Sequence, residues 1–246
     1  MDGFALWTGL GASLGLWRIT TGLSPHTSLQ RARGGLWVLL GVLAGARAVY
    51  VALEPAYYTA RPWEVLQFWL GGLAWPGAML GGLAALAGLA AAEHSSLAKT
   101  ADQYAPLAAP LAVGVYLGCW QSGAGYGVLA PAGVHWGAPA YDEYGLWALR
   151  FPLQFLCALV LAAYFALLEF GRLPIRKPGQ KASLAGLGLS LDLLLFSWLR
   201  ADPVMHWQGL AVDVWAAMFF CLCSGLSVLV AWLPTREPYR DPAGEQ

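Results

Sequence analysis

WALRFPLQFLCALVLAAYFALLEF (residues 147–170) runs directly into GRLPIRKPGQKA (171–182), and this junction decides the class of the protein. In the first string only Arg150 and Glu169 are charged, one near each end. About 20 apolar residues suffice to cross the hydrocarbon layer as a helix. The second string carries Arg172, Arg176, Lys177 and Lys181. An apolar run closed on one side by basic residues predicts a transmembrane helix whose basic end is cytoplasmic. There it reads as a tether to an anionic leaflet.

The same reading extends outward in both directions. Apolar runs at 4–22, 34–53, 64–92, 104–120, 147–170, 183–199 and 209–233 give seven predicted spans. The third is long enough to tilt or to contain a break around Pro76. The chain is 58% hydrophobic and 11% charged, whereas a soluble domain carries about 25% charged residues. Arg31, Arg33, Lys99, Arg172, Arg176, Lys177, Lys181, Arg236 and Arg240 fall in alternate gaps. The opposite gaps hold Arg61, Arg150 and Arg200, while Arg18 and Arg47 lie within spans. This asymmetry predicts an all-α polytopic membrane protein with its N-terminus outside and its C-terminus cytoplasmic. We expect one membrane domain over 1–233 and a disordered cytoplasmic tail over 234–246. Met1-Asp2-Gly3-Phe4 lacks the basic start of a secretory signal.

The exterior segment 121–146, QSGAGYGVLAPAGVHWGAPAYDEYGL, has no Lys or Arg and is rich in Gly, Pro and aromatic residues. Either its rings anchor at the headgroups or it forms a compact cap over a cavity. Within the spans, Gly71, Gly72, Gly77, Gly81, Gly82 and Gly88 cluster around Trp75-Pro76. Small residues let helices approach closely in lipid. Proline there is expected to kink the helix and free a carbonyl.

Charged groups at membrane depth are costly and mark sites or internal pairs. Arg47 either snorkels or pairs inward with Glu54 or a ligand. Asp192 and Asp213 also lie within spans. Arg200, before Asp202-Pro203, sits at the depth of phospholipid phosphates, where a guanidinium grips a phosphate with two bonds. Zero net charge gives no indication of nucleic acid. Cys119, Cys157, Cys221 and Cys223 read as buried small hydrophobes. No metal spacing, nucleotide loop or hydrolase elbow is present in the sequence, and no cofactor is expected.

A series of short blocks then resembles one family. Gly45-Ala46-Arg47 with Tyr50, Arg61-Pro62-Trp63-Glu64 and Trp69-Leu70-Gly71-Gly72-Leu73 come first. Asp102-Gln103-Tyr104-Ala105-Pro106 and Gly118-Cys119-Trp120-Gln121-Ser122-Gly123 through Gly127 follow. Pro152-Leu153-Gln154, Phe196 to Arg200, Asp202-Pro203 and Gly209-Leu210 complete the order. Together they resemble the bacterial prolipoprotein diacylglyceryl transferases.

The resemblance implies an enzyme of the bacterial cytoplasmic membrane. It would move diacylglyceryl from phosphatidylglycerol to a lipoprotein cysteine near the signal peptide. It also implies Arg200 and Gly127 as catalytic positions, with Tyr116 and Tyr126 as catalytic candidates in place of lost family groups. Arg47, Gly71, Gly72, Asp102, Cys119 and Gln154 would be substrate-binding positions. The chain departs from the family pattern at Pro76 for a histidine, Ala78 for a glycine, Tyr116 for an arginine and Phe4 for a tyrosine. Tyr116, Tyr126 or His135 could supply replacement chemistry. Those departures leave a second reading open: a catalytically degraded relative that binds lipid or assembles with other membrane subunits.

Overall fold

The computed structural model describes residues 2–131, 133–142, 144–171 and 173–233. The expected tail, 234–246, lies outside the described residues. The chain is mostly helical. The long helices are α1 (Asp2–Thr20), α2 (Pro25–Leu53), α4 (Trp75–Ala92), α6 (Ala108–Ser122), α7 (Leu153–Phe170), α8 (Gln180–Leu199) and α9 (Val212–Trp232). Shorter α3 (Pro55–Ala60) and α5 (Leu97–Tyr104) lie between them. β1 (Ala138–Tyr141) pairs antiparallel with β2 (Trp147–Arg150), and β3 (His206–Trp207) with β4 (Leu210–Ala211).

Among the described residues, α2, α4, α7, α8 and α9 are long and apolar enough to cross a membrane. α6 is too short at 15 residues, and α1 is not apolar enough. The 29 residues of α2 reach about 43 Å at 1.5 Å per residue, more than a hydrocarbon layer requires. Its start fits the local chemistry: Ser24 accepts the Thr27 N–H at the cap, and Pro25 needs no donor in the first turn.

Three predicted spans begin with non-helical segments, and α2 begins at Pro25, well before the expected start at 34. The 64–92 run is helical only from Trp75; residues 62–66 and 68–70 are 3₁₀ turns. Pro76 occupies the first turn of α4, where a missing N–H costs nothing, so it starts the helix rather than kinking it. Likewise 147–150 is strand β2, and α7 begins after Pro152. In the 209–233 run, β4 precedes α9.

Glycine sets the two tightest helix pairs. Gly41 and Gly45 of α2 face Gly77 and Gly81 of α4; a Cβ on Gly81 would stand 2.9 Å from the Gly45 Cα. Gly11 of α1 faces Gly114 of α6 at 3.2 Å on the same measure. Without hydrophobic drive in lipid, such close backbone contact holds helices together. A second core joins Tyr116, Leu153, Cys157, Leu161 and Phe196 across α6, α7 and α8. Outward faces are apolar: Leu6, Leu10, Leu14 and Trp17 of α1, three to four residues apart, are 51–59% exposed. Lipid is the solvent that such a stripe suits.

α2 with α4, α6 with α7 and α8 with α9 pack antiparallel, so the C-ends of α2, α6 and α8 meet the N-ends of α4, α7 and α9. This is the loop-bearing end. Arg31, Arg33, Lys99, Arg176, Lys177 and Lys181 gather near the other end.

Candidate functional site

Arg200 closes α8 at its C-cap. Its guanidinium is held edge-on by Asp202: Nε donates to Oδ1 at 2.7 Å, and Nη2 donates to Oδ2. Nη1 donates to Asp213 in the first turn of α9. The Phe196 ring lies 5.6 Å beneath. Burial works against the arginine's charge, but the Asp202 and Asp213 carboxylates outweigh it and raise its pKa above the ordinary value. Arg200 lines a cavity of about 320 Å³ with Ser197, Asp202, His206 and Val214. A hollow therefore adjoins the guanidinium.

The glycine-rich motif runs alongside. Gly127 forms a β-bridge with Arg200, and the Ala201 N–H donates to the Tyr126 carbonyl at 2.8 Å. Gly127 must be small, because a Cβ there would lie 2.5 Å from the Phe151 carbonyl oxygen. Gln154, 2% exposed, donates to the Ala124 carbonyl at 3.1 Å and ties the motif to α7. Cys119 lies within electrostatic reach of Arg200 and Asp202. Thus Arg200, Tyr126, Gly127, Gln154 and Cys119 come together.

Arg150 is a member of this group that sequence reasoning passed over as a helix-end residue. It is 8% exposed, stacks 4.1 Å over the Tyr126 ring, and donates to Asp142 at 3.2 Å. Its β2 position also bridges Leu129. The β1–β2 pair is therefore a hydrogen-bonded layer anchored by a buried cation. The only sequence signal was an arginine without a nearby polar partner in the string.

Arg47 does different work from either expected role. Its Nε donates to the Val65 carbonyl at 2.9 Å; Nη1 reaches the Gly71 and Gly72 carbonyls at 2.6 and 3.0 Å; Nη2 reaches those of Glu64 and Gln67. It makes no ion pair with Glu54 among the described residues. Instead it satisfies the carbonyls of the non-helical backbone that precedes α4. Gly71 and Gly72 have φ of +92° and +73°, and a Cβ on Gly72 would sit 2.7 Å from Arg47 Nη1. A second cavity, about 310 Å³, opens beside this knot.

Two positions fall elsewhere. Asp102 lies near the basic end, where its carboxylate accepts the Gly179 and Ala182 N–H groups at 2.6 and 2.7 Å and caps α8 from outside. Tyr116 is buried at 4% exposure and donates to Asp192 at 2.6 Å, packed on Phe196. Phe4 packs against Gly118, and His135 is exposed.

A sequence model described as prolipoprotein diacylglyceryl transferase matches residues 3–231. A protein named phosphatidylglycerol–prolipoprotein diacylglyceryl transferase from Cereibacter sphaeroides is 30% identical over 197 residues, covering 75% of this chain and 56% of the relative. The chain thus spans little more than half the length of that relative. One of the same name from Bordetella parapertussis is 29% identical over 245 residues, covering 95% and 89%. Another, from Methylibium petroleiphilum, is 29% identical over 204 residues, covering 72% and 75%. The chain belongs to the prolipoprotein diacylglyceryl transferase family.

Proposed function

We propose that this chain is a seven-span protein of the bacterial cytoplasmic membrane that transfers diacylglyceryl from phosphatidylglycerol to a prolipoprotein cysteine. The N-terminus lies outside and the C-terminus inside, so the loop-bearing end meets the outer leaflet. The basic residues gathered near the opposite end support that orientation. The observation that carries the reading is the cavity at Arg200, whose backbone is bridged by Gly127.

The lipid phosphate takes the Nη1 edge of Arg200 in exchange for Asp213, while Asp202 keeps the guanidinium oriented. A charge-assisted bond there stabilises the phosphate as it departs. The cysteine sulfur bonds to the glyceryl carbon, and the bond from that carbon to the phosphate oxygen breaks. Glycerol phosphate leaves carrying the thiol proton. Tyr126 and Gly127 form the wall that keeps Arg200 in place, and Gln154 fixes that wall to α7. Arg47, Gly71 and Gly72 shape the neighbouring backbone, and Asp102 holds α8.

Complementation tests this. In cells depleted of their own transferase, the wild-type gene restores lipoprotein lipidation and R200A does not. A folded, membrane-inserted wild type that fails to restore lipidation refutes the transfer reading.

A further inference from the structure

The second cavity has chemistry unlike the first. It is lined by Arg47, Tyr50, Glu54, Tyr57, Tyr58 and Glu64, with Gly71 and Gly72 at its base. Arg47 spends its donors on backbone carbonyls. Glu64 accepts from the Tyr57 hydroxyl at 2.6 Å and lies 3.9 Å from Arg61. The unspent groups are the Glu54 carboxylate and the Tyr50 and Tyr58 hydroxyls, which have no hydrogen-bond partner among the described residues. Tyr58 is 8% exposed and lines the cavity with its hydroxyl unspent. The lining carries one positive and two negative groups, and the cation has no free donor. The net charge of the lining is negative, which disfavours an anion there.

We propose that this cavity binds the primary ammonium of a phospholipid head group, an ethanolamine lipid. The three donors of an ammonium match one carboxylate and two phenol oxygens. The occupant comes from the bilayer because the adjoining turns present Trp63, Leu66, Phe68 and Trp69, each 47–77% exposed, as an apolar rim. The site rests on the membrane reading alone and does not require transfer at Arg200.

Native mass spectrometry of the intact protein in micelles doped with dioleoyl ethanolamine, choline or glycerol phospholipid tests it. Wild type retains the ethanolamine lipid over the choline lipid, whose quaternary head group cannot donate. E54Q, at a side chain with no hydrogen bond or ion pair among the described residues, lowers ethanolamine-lipid affinity about tenfold through loss of a charge-assisted bond. Y58F lowers it several-fold. Glycerol-lipid retention, which reports the Arg200 cavity, is unchanged in both. Equal retention of all three lipids by wild type, or unchanged ethanolamine-lipid binding by E54Q, overturns the assignment.

Discussion

Replacing Asp102 by alanine separates a structural role from a substrate-binding one. The carboxylate receives two backbone N–H groups, from Gly179 at 2.6 Å and Ala182 at 2.7 Å, at the start of α8. Hydrogen bonds to a charged acceptor contribute about 1.5–3 kcal/mol each. Deleting a helix cap costs about 0.5–2 kcal/mol. Asp102 is half-buried, so water recovers part of the loss, and D102A should destabilise by about 2–4 kcal/mol. D102N keeps one acceptor oxygen but turns an amide toward an N–H, so its loss should be about half as large. SDS titration in dodecylmaltoside micelles, followed by circular dichroism, measures both. Transfer per folded molecule should stay at the wild-type level. Wild-type stability in D102A together with lost transfer would refute the capping role and return Asp102 to the substrate.

Three further substitutions probe other parts of the structure. G81L drives a side chain into the α2 backbone beside Gly45 and should cost at least about 1–3 kcal/mol in the same titration. Y116F leaves the buried Asp192 carboxyl without its phenol partner and should cost about 1–3 kcal/mol, read as a lowered unfolding midpoint. G127A forces the motif away from Phe151 and breaks its bridge to Arg200. Transfer should fall at least about a hundredfold, as for loss of an oriented charge-stabilising group, while the helical circular dichroism is kept.

Much of the architecture was legible because hydropathy and basic-residue sorting are properties of whole segments. The runs around α7, α8 and α9 read correctly to within a few residues at most ends. Their starts were missed where Pro152 and the Gly209-Leu210 turn impose a strand before the helix, since short strands leave little periodicity. The cluster of Arg200, Tyr126, Gly127, Cys119 and Gln154 was legible as a set of motifs. The target of Arg47 was not, because backbone carbonyls carry no residue signature. The resemblance alone marks Asp102 as substrate-binding; its partners, the N–H groups of Gly179 and Ala182 nearly eighty residues away, likewise carry no residue signature. Arg150 gained its meaning only when β2 brought it over Tyr126.

The most direct measurement is transfer by the purified chain in phosphatidylglycerol liposomes with a prolipoprotein peptide bearing one cysteine, read as the mass of the thioether product. Wild type should form the diacylglyceryl peptide and release glycerol phosphate, and R200A should be slower by about 10²–10³ with unchanged folding. Absence of product from folded wild type, or equal rates for the two proteins, would contradict an Arg200-centred transfer site.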